Sequence, residues 1–265
     1  MTSRSPGRLE AALRAARDAG RKSLVPYITG GLDGWRPAVE AAAAAGADGV
    51  EIGIPFSDPV MDGPTIQAAG DRALAAGATP AGILAAAAEL DVGVPLVVMT
   101  YYNIAHHMGH RRFARSLAET GFAGAILADL PLEESAPWTA AADEAGIETV
   151  LLAAPTASAE RLAAVCARAR GFVYAVGLLG VTGERDTLAA SATVIAGRLK
   201  AVTDLPVLVG VGVSTPRQAT EATTVADGVV VGSAVVRRLL DGHGPEGVGE
   251  VVGDLRRALD RHASR

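Results

Sequence analysis

Cysteine is almost missing from this 265-residue chain. Cys166 stands alone, so no disulfide can form within the chain, which suits a reducing compartment. In the helical-looking stretch RLAAVCARA it reads as a small buried apolar residue rather than a nucleophile. Aromatic residues make up only 4%, so Ala, Val, Leu and Ile must build the core. Positive charge is not in excess. The net charge is −5 and no basic face of the kind a nucleic-acid binder carries is evident. An anionic substrate would need a local site made of backbone N–H groups. Long apolar runs are missing too. The first twenty residues, MTSRSPGRLEAALRAARDAG, resemble neither a signal peptide nor a membrane span, and they read as a capping helix from about Gly7 to Ala19. The expectation is a soluble, cytoplasmic protein that contacts neither membrane nor nucleic acid.

What is present is an alternation. Eight short runs rich in Val, Ile and Leu recur along the chain: 23–29, 49–54, 95–101, 124–130, 148–154, 171–176, 206–212 and 228–233. Short, continuously apolar runs are the mark of parallel strands covered on both faces. Ala-rich amphipathic segments separate them, and several close on glycine, as at Gly46, Gly121 and Gly146, the residue favoured at helix ends. The stretch between the second and third runs is longest and has room for an extra helix, PTIQAAGDRALAAG, besides TPAGILAAAAEL. A charged tail over 241–249 precedes a last helix, VVGDLRRALDRHA. Eight β/α units in this length predict one (β/α)8 TIM barrel spanning 1–265 as a single domain, with an extra N-terminal helix. A doubly wound open sheet is the competing architecture, but no G-x-G-x-x-G follows the first run and no composition shift marks a second domain.

In the second run, Val50, Ile52 and Ile54 alternate with Glu51 and Gly53. Strand alternation sends the apolar set toward the helices and Glu51 into the barrel, where burial should raise its pKa toward the range a general acid or base needs. The following PFSDPVMDGP, with three prolines, predicts a rigid loop on the active face. It offers Asp58 and Asp62, either of which could be a turn former or the second of two carboxylates with separate acid and base roles. Glycines in GVTG (180–183), GVGVS (210–214) and GSA (232–234) suit a phosphate rim over the last three units. The tyrosines of TYYN (100–103) and Tyr174 offer rings for a flat apolar substrate. His106, His107 and His110 have ligand-like spacing, but no nearby Cys or carboxylate completes a set, so a solvated loop is the expectation and no metal is called for. Lysine occurs only at Lys22 and Lys200, both outside the predicted strands, which argues against imine chemistry, and no Ser-His-Asp arrangement is present.

At these residues the chain resembles the tryptophan synthase alpha chain family. VEIGIPFSDPVMDGPTIQ (50–67) carries the likeness, and VPYITGG (25–31), VMTYYN (98–103), LADLPLEES (127–135), GVTG (180–183), VGVGVS (209–214) and DGVVVGSA (227–234) match in order. The resemblance implies a barrel lyase that cleaves indole-3-glycerol phosphate to indole and glyceraldehyde 3-phosphate without a cofactor. It implies Glu51 as the catalytic acid/base and Asp62 as the carboxylate on the indole N–H. It places Tyr27, Tyr101, Asp129, Tyr174 and Thr182 around the substrate or a closing loop, and Gly183, Gly212, Gly232 and Ser233 on the phosphate. It also implies a pyridoxal-phosphate beta chain as partner in an α2β2 complex, facing residues 55–59, Asn103 and Pro131. The chain departs from the family's frequent pattern twice: VGLLGVTG has no Ser-Arg pair before GVTG, and Ile104 stands where Pro is common after the asparagine. A stand-alone lyase releasing free indole and another phosphosugar barrel isomerase are the alternatives.

Overall fold

The computed structural model describes residues 5–177, 185–210 and 212–263. Parallel strands β1 (Ser23–Thr29), β2 (Val50–Gly53), β3 (Leu96–Thr100), β4 (Phe122–Leu127), β5 (Glu148–Ala153), β6 (Val173–Ala175), β7 (Val207–Val209) and β8 (Gly228–Val231) pair in chain order and close into a barrel. Around them lie α1 (Arg8–Asp18), α2 (Trp35–Ala44), α3 (Pro64–Ala75), α4 (Pro80–Ala87), α5 (Tyr102–Met108), α6 (His110–Glu119), α7 (Ala136–Ala145), α8 (Ala159–Arg168), α9 (Arg185–Lys200), α10 (Pro216–Ala222), α11 (Ser233–Leu240) and α12 (Gly244–Ala263). The TIM barrel, its added N-terminal helix and the extra helix after β2 match expectation.

Strand alternation divides the core into two shells. Val50, Ile52 and Ile54 join the apolar shell between strands and helices. Val25, Val97, Ile126, Val150, Leu208 and Val230 fill the barrel interior together with Leu9 and Leu13 of α1. Helix α1 therefore plugs the end where the strands begin and leaves the other end for chemistry. Gly46, Gly121 and Gly146 end their helices at φ +100°, +82° and +75°, a left-handed conformation that glycine adopts without a Cβ clash.

A carboxylate from the barrel wall holds the plug. No side chain of α1's own cap bonds its first turn; Glu148 of β5 accepts instead from the N–H groups of Leu9 at 2.7 Å and Glu10 at 3.0 Å. Gly7 leaves room for it, since a Cβ there would lie 2.3 Å from the Glu148 carboxyl carbon. Glu148→Ala is expected to lower the free energy of unfolding by about 2 kcal/mol, because two helix-end donors lose their acceptor. An unshifted urea midpoint would remove Glu148 from that role.

Three boundaries differ from the sequence reading. TYYN does not end β3 as strand: Tyr102 already opens α5, so His106 and His107 lie exposed on a helix rather than in a loop. The run at 228–233 stops at Val231, and Ser233 begins α11. The charged tail at 241–249 is largely helix, because α12 starts at Gly244 and buries Gly247 and Val248. Gly249 of α12 faces α2, where a Cβ would meet that of Ala41 at 3.7 Å, an ordinary contact. Among the described residues no helix is long and apolar enough to cross a membrane.

Candidate active site

Glu51 is the second residue of β2 and lies inside the barrel wall. Its neighbours in register are Tyr27 on β1 and Val97 on β3, so it projects inward from β2 as alternation requires. It is 1% exposed, and neither carboxylate oxygen has a hydrogen-bond partner among the described residues. Burial first, and the nearby Asp62 charge second, push its pKa from 4.5 up to about 8. At neutral pH the side chain therefore holds a proton it can deliver.

Asp62 reaches the site from the proline-braced loop after β2. The Met61 N–H donates to the Tyr101 hydroxyl oxygen at 2.9 Å, and the Tyr101 ring stacks on Phe56 with centroids 5.3 Å apart. The loop is thus folded back onto the end of β3. Burial pushes the Asp62 carboxyl up, and a hydrogen bond from the Tyr101 hydroxyl pulls it back. Asp58, the other carboxylate of the loop, is exposed and accepts from the Ser57 hydroxyl at 2.5 Å, an ordinary turn contact. Asp62 carries the charge that raises Glu51, while Glu51 does not figure among the causes that raise Asp62. The two carboxyls thus sit in different environments, Glu51 without a hydrogen-bond partner among the described residues and Asp62 bonded by a phenol, and different environments give two carboxyls different roles.

Two tyrosines lean over glycines. Tyr27 pairs with Glu51 and lies above Gly53, where a Cβ would meet the phenol oxygen at 1.9 Å. Tyr174 pairs with Leu208 in the same way and lies above Gly210, where a Cβ would meet the ring at 2.1 Å. Burial is the main cause that raises both phenols, and the Glu51 charge adds to it in each case. Tyr101 is pushed up to about 12, chiefly by burial. All three hydroxyls remain protonated donors around the carboxylates. The clearance role of Gly53 and Gly210 was missed in the sequence, where Gly210 read as a phosphate-turn glycine. The available signal was an inward strand position held by Gly beside a neighbouring strand's Tyr. Gly53→Ala is expected to cut kcat/KM about a hundredfold by displacing Tyr27 from the pocket. Steady-state kinetics check it, and a wild-type value would show that Tyr27 can give way freely.

Tyr27, Asp62 and Tyr101 line one cleft with the apolar side chains of Ile54, Phe56, Ile66 and Met99. Apolar walls with a few polar groups are the kind of lining that orients an aromatic ligand. Gly232 borders it, with its would-be Cβ 3.7 Å from Tyr27 Cβ and from Ile66 Cδ1. From there α11 begins at Ser233, and no side chain caps its first turn. Gly212 sits at φ +79°, which keeps the turn after β7 open to close approach. Thr182 and Gly183, with the rest of the GVTG segment, lie outside the described residues. Asp129 is exposed, and its Oδ1 accepts from the Tyr102 N–H at 2.6 Å at the start of α5. Ile104 is buried in the core while the preceding Asn103 is exposed. The histidines gather with other rings, His110 bonding Tyr102 at 3.0 Å and meeting Trp138 edge-on.

The family model for the tryptophan synthase alpha chain matches residues 13–252. The chain belongs to the tryptophan synthase alpha chain family. The alpha chain of Streptomyces coelicolor is 46% identical over 256 residues, covering 93% of this chain and 94% of its own. That of Halorhodospira halophila is 47% identical over 267 residues, covering 96% of each. Among solved structures, tryptophan synthase from Mycobacterium tuberculosis superposes with a TM-score of 0.88 at 39% identity, over 96% of this chain and 99% of that one. Tryptophan synthase subunit alpha from Legionella pneumophila gives 0.86 at 31% identity, over 97% and 100%. As in any family of this fold, the strand ends and following loops of the alpha chain form the face on which Glu51 and Asp62 lie.

Proposed function

We propose that this alpha chain is a lyase of tryptophan biosynthesis that cleaves indole-3-glycerol phosphate to indole and glyceraldehyde 3-phosphate. The observation that carries the reading is the buried Glu51, inward-pointing on β2 and held protonated up to about pH 8 by burial and by the charge of Asp62. The carbon–carbon bond at indole C3 breaks only after C3 becomes tetrahedral. Glu51 supplies the proton, and the ring nitrogen becomes positively charged. Asp62 accepts the hydrogen bond of that N–H and stabilises the charge. The Glu51 carboxylate then takes the proton of the glycerol hydroxyl as the bond breaks. The electron pair of that bond returns to the ring, restoring indole, and the hydroxyl carbon leaves as an aldehyde. Protons balance, Glu51 ends as it began, and the step uses no cofactor or metal.

The remaining assignments belong to the same reading. Tyr27, Tyr101 and Tyr174 flank the indole. The uncapped start of α11 at Ser233, with Gly232, Gly212 and, beyond the described residues, Gly183, holds the phosphate through backbone N–H groups. Thr182, outside the described residues, keeps its place in this reading as a substrate-binding residue. Asp129, after β4, contacts the substrate or closing loop while accepting from the start of α5. A beta chain docks on residues 55–59, Asn103 and Pro131, in an α2β2 complex working in the cytoplasm.

The test is indole release from indole-3-glycerol phosphate, measured for the alpha chain alone and with a beta chain. Slow turnover alone and a large rise on mixing are expected. Fast turnover alone with no rise would instead favour a stand-alone lyase, and no indole under either condition would overturn the activity.

A further inference from the structure

Residues 57–62 carry Asp62 across the mouth with few ties to the rest of the barrel. Among the described residues, the side chains of other elements that hydrogen-bond this stretch are Tyr101 and Gln67. Tyr101 takes the Met61 N–H from one side. Gln67 takes the other side: its Nε2 donates to the Asp62 carbonyl at 2.8 Å and reaches the Pro59 carbonyl at 3.5 Å. The two contacts fall on either side of the Met61–Asp62 peptide, so they set the direction in which the Asp62 side chain leaves the backbone.

Gln67 is well placed to do this. It is the fourth residue of α3, after Pro64 at the first turn, and helical side chains lean toward the N-terminus. The amide therefore folds back across Gly63 onto the loop. The helix beneath it is anchored: Arg237 of α11 donates to the Thr65 hydroxyl at 2.8 Å, and Arg72 of α3 donates to the Leu240 carbonyl at 3.1 Å. Through those bonds the Asp62 loop is referenced to α11, the helix whose start borders the same cleft.

We infer that Gln67 is a positioning residue for Asp62, acting through the backbone of the loop. The inference rests on the lyase reading given above. It requires an N–H donor at this position. Methionine matches the length of glutamine but donates nothing, and glutamate sets a carboxylate against two carbonyls. An exposed hydrogen bond adds little to stability, whereas a small displacement of a group that must meet a reacting atom is costly in rate.

The experiment measures indole release for wild type, Gln67→Met, Gln67→Glu, Asp62→Asn and the double variant Gln67→Met/Asp62→Asn, under single-turnover conditions at high enzyme concentration so that weak activity stays readable. Gln67→Met is expected to lower the rate about tenfold, with KM within about twofold and an unchanged melting temperature, and Gln67→Glu at least as much. In the Asp62→Asn background Gln67→Met is expected to change nothing further. An unchanged rate in Gln67→Met, or the same fold loss with and without Asp62, overturns the inference. Absence of activity in wild type, or full activity in Asp62→Asn, instead overturns the lyase reading on which it rests.

Discussion

Glu51→Gln is expected to abolish indole release and at the same time to make the barrel more stable in mildly alkaline solution. The loss of activity follows from the proton. Glutamine fills the same volume and keeps its place between Tyr27 and Val97, but it can neither deliver a proton to carbon nor take one from a hydroxyl. A positioned acid/base contributes on the order of 10² to 10⁴ in rate, and here one group performs both transfers, so the upper end is expected. The gain in stability follows from the same burial. The native carboxyl titrates near 8 and the ordinary one near 4.5. Between those values the folded chain keeps a proton that the unfolded chain has released. The contribution of this group to stability is therefore complete below about 4.5 and is lost as pH rises through about 8. Glutamine does not ionise and escapes that loss. The melting temperature of the variant should rise relative to wild type across this window and level off above it. In wild type, kcat/KM should fall on the alkaline side with a midpoint near 8, where Glu51 gives up its proton. A variant that turns over normally, or an equal melting difference at every pH, would contradict the assignment.

Asp62→Asn is expected to lower kcat by about a hundred- to a thousandfold, the scale found when one group that stabilises transition-state charge is removed. An amide still accepts a hydrogen bond from an indole N–H, so substrate binding should change little. What it lacks is the negative charge that matters only once the ring nitrogen becomes positive. The signature is thus a fall in kcat with KM nearly constant. The variant also removes the charge that helps raise Glu51, so the alkaline midpoint should move down from its wild-type position. A large KM effect with kcat preserved would make Asp62 a binding group only. An unmoved alkaline limb would separate it from Glu51.

Much of the barrel was legible along the chain because its cause is local. Runs of Val, Ile and Leu that are buried on both faces have to be parallel strands, and glycine at Gly46, Gly121 and Gly146 ends helices whatever surrounds them. The misreadings lie where a tertiary contact overrides local preference. Tyr102 opens a helix because Asp129, from the turn after β4, meets its N–H. Gly244 to Gly249 form helix, although glycine is a poor helix former, because Val248 and Val252 have a core to enter.

The site divides in the same way. The sequence by itself determined that Glu51 points into the barrel, since alternation has a period of two and Val50, Ile52 and Ile54 claim the outer face. Between Asp58 and Asp62 the residue pattern left the choice open; the family resemblance pointed to Asp62, and the tertiary structure brings that one to the cleft. Their local surroundings are alike, both being aspartates in one proline-rich loop. The difference comes from Tyr101, forty residues from Met61 along the chain, whose hydroxyl holds Met61 and Asp62 over the cleft and leaves Asp58 in solvent. The space above Gly53 for Tyr27 was likewise settled only in three dimensions. A residue's direction within a strand is set by its neighbours in sequence, but burial and charge are set by what other strands bring beside it.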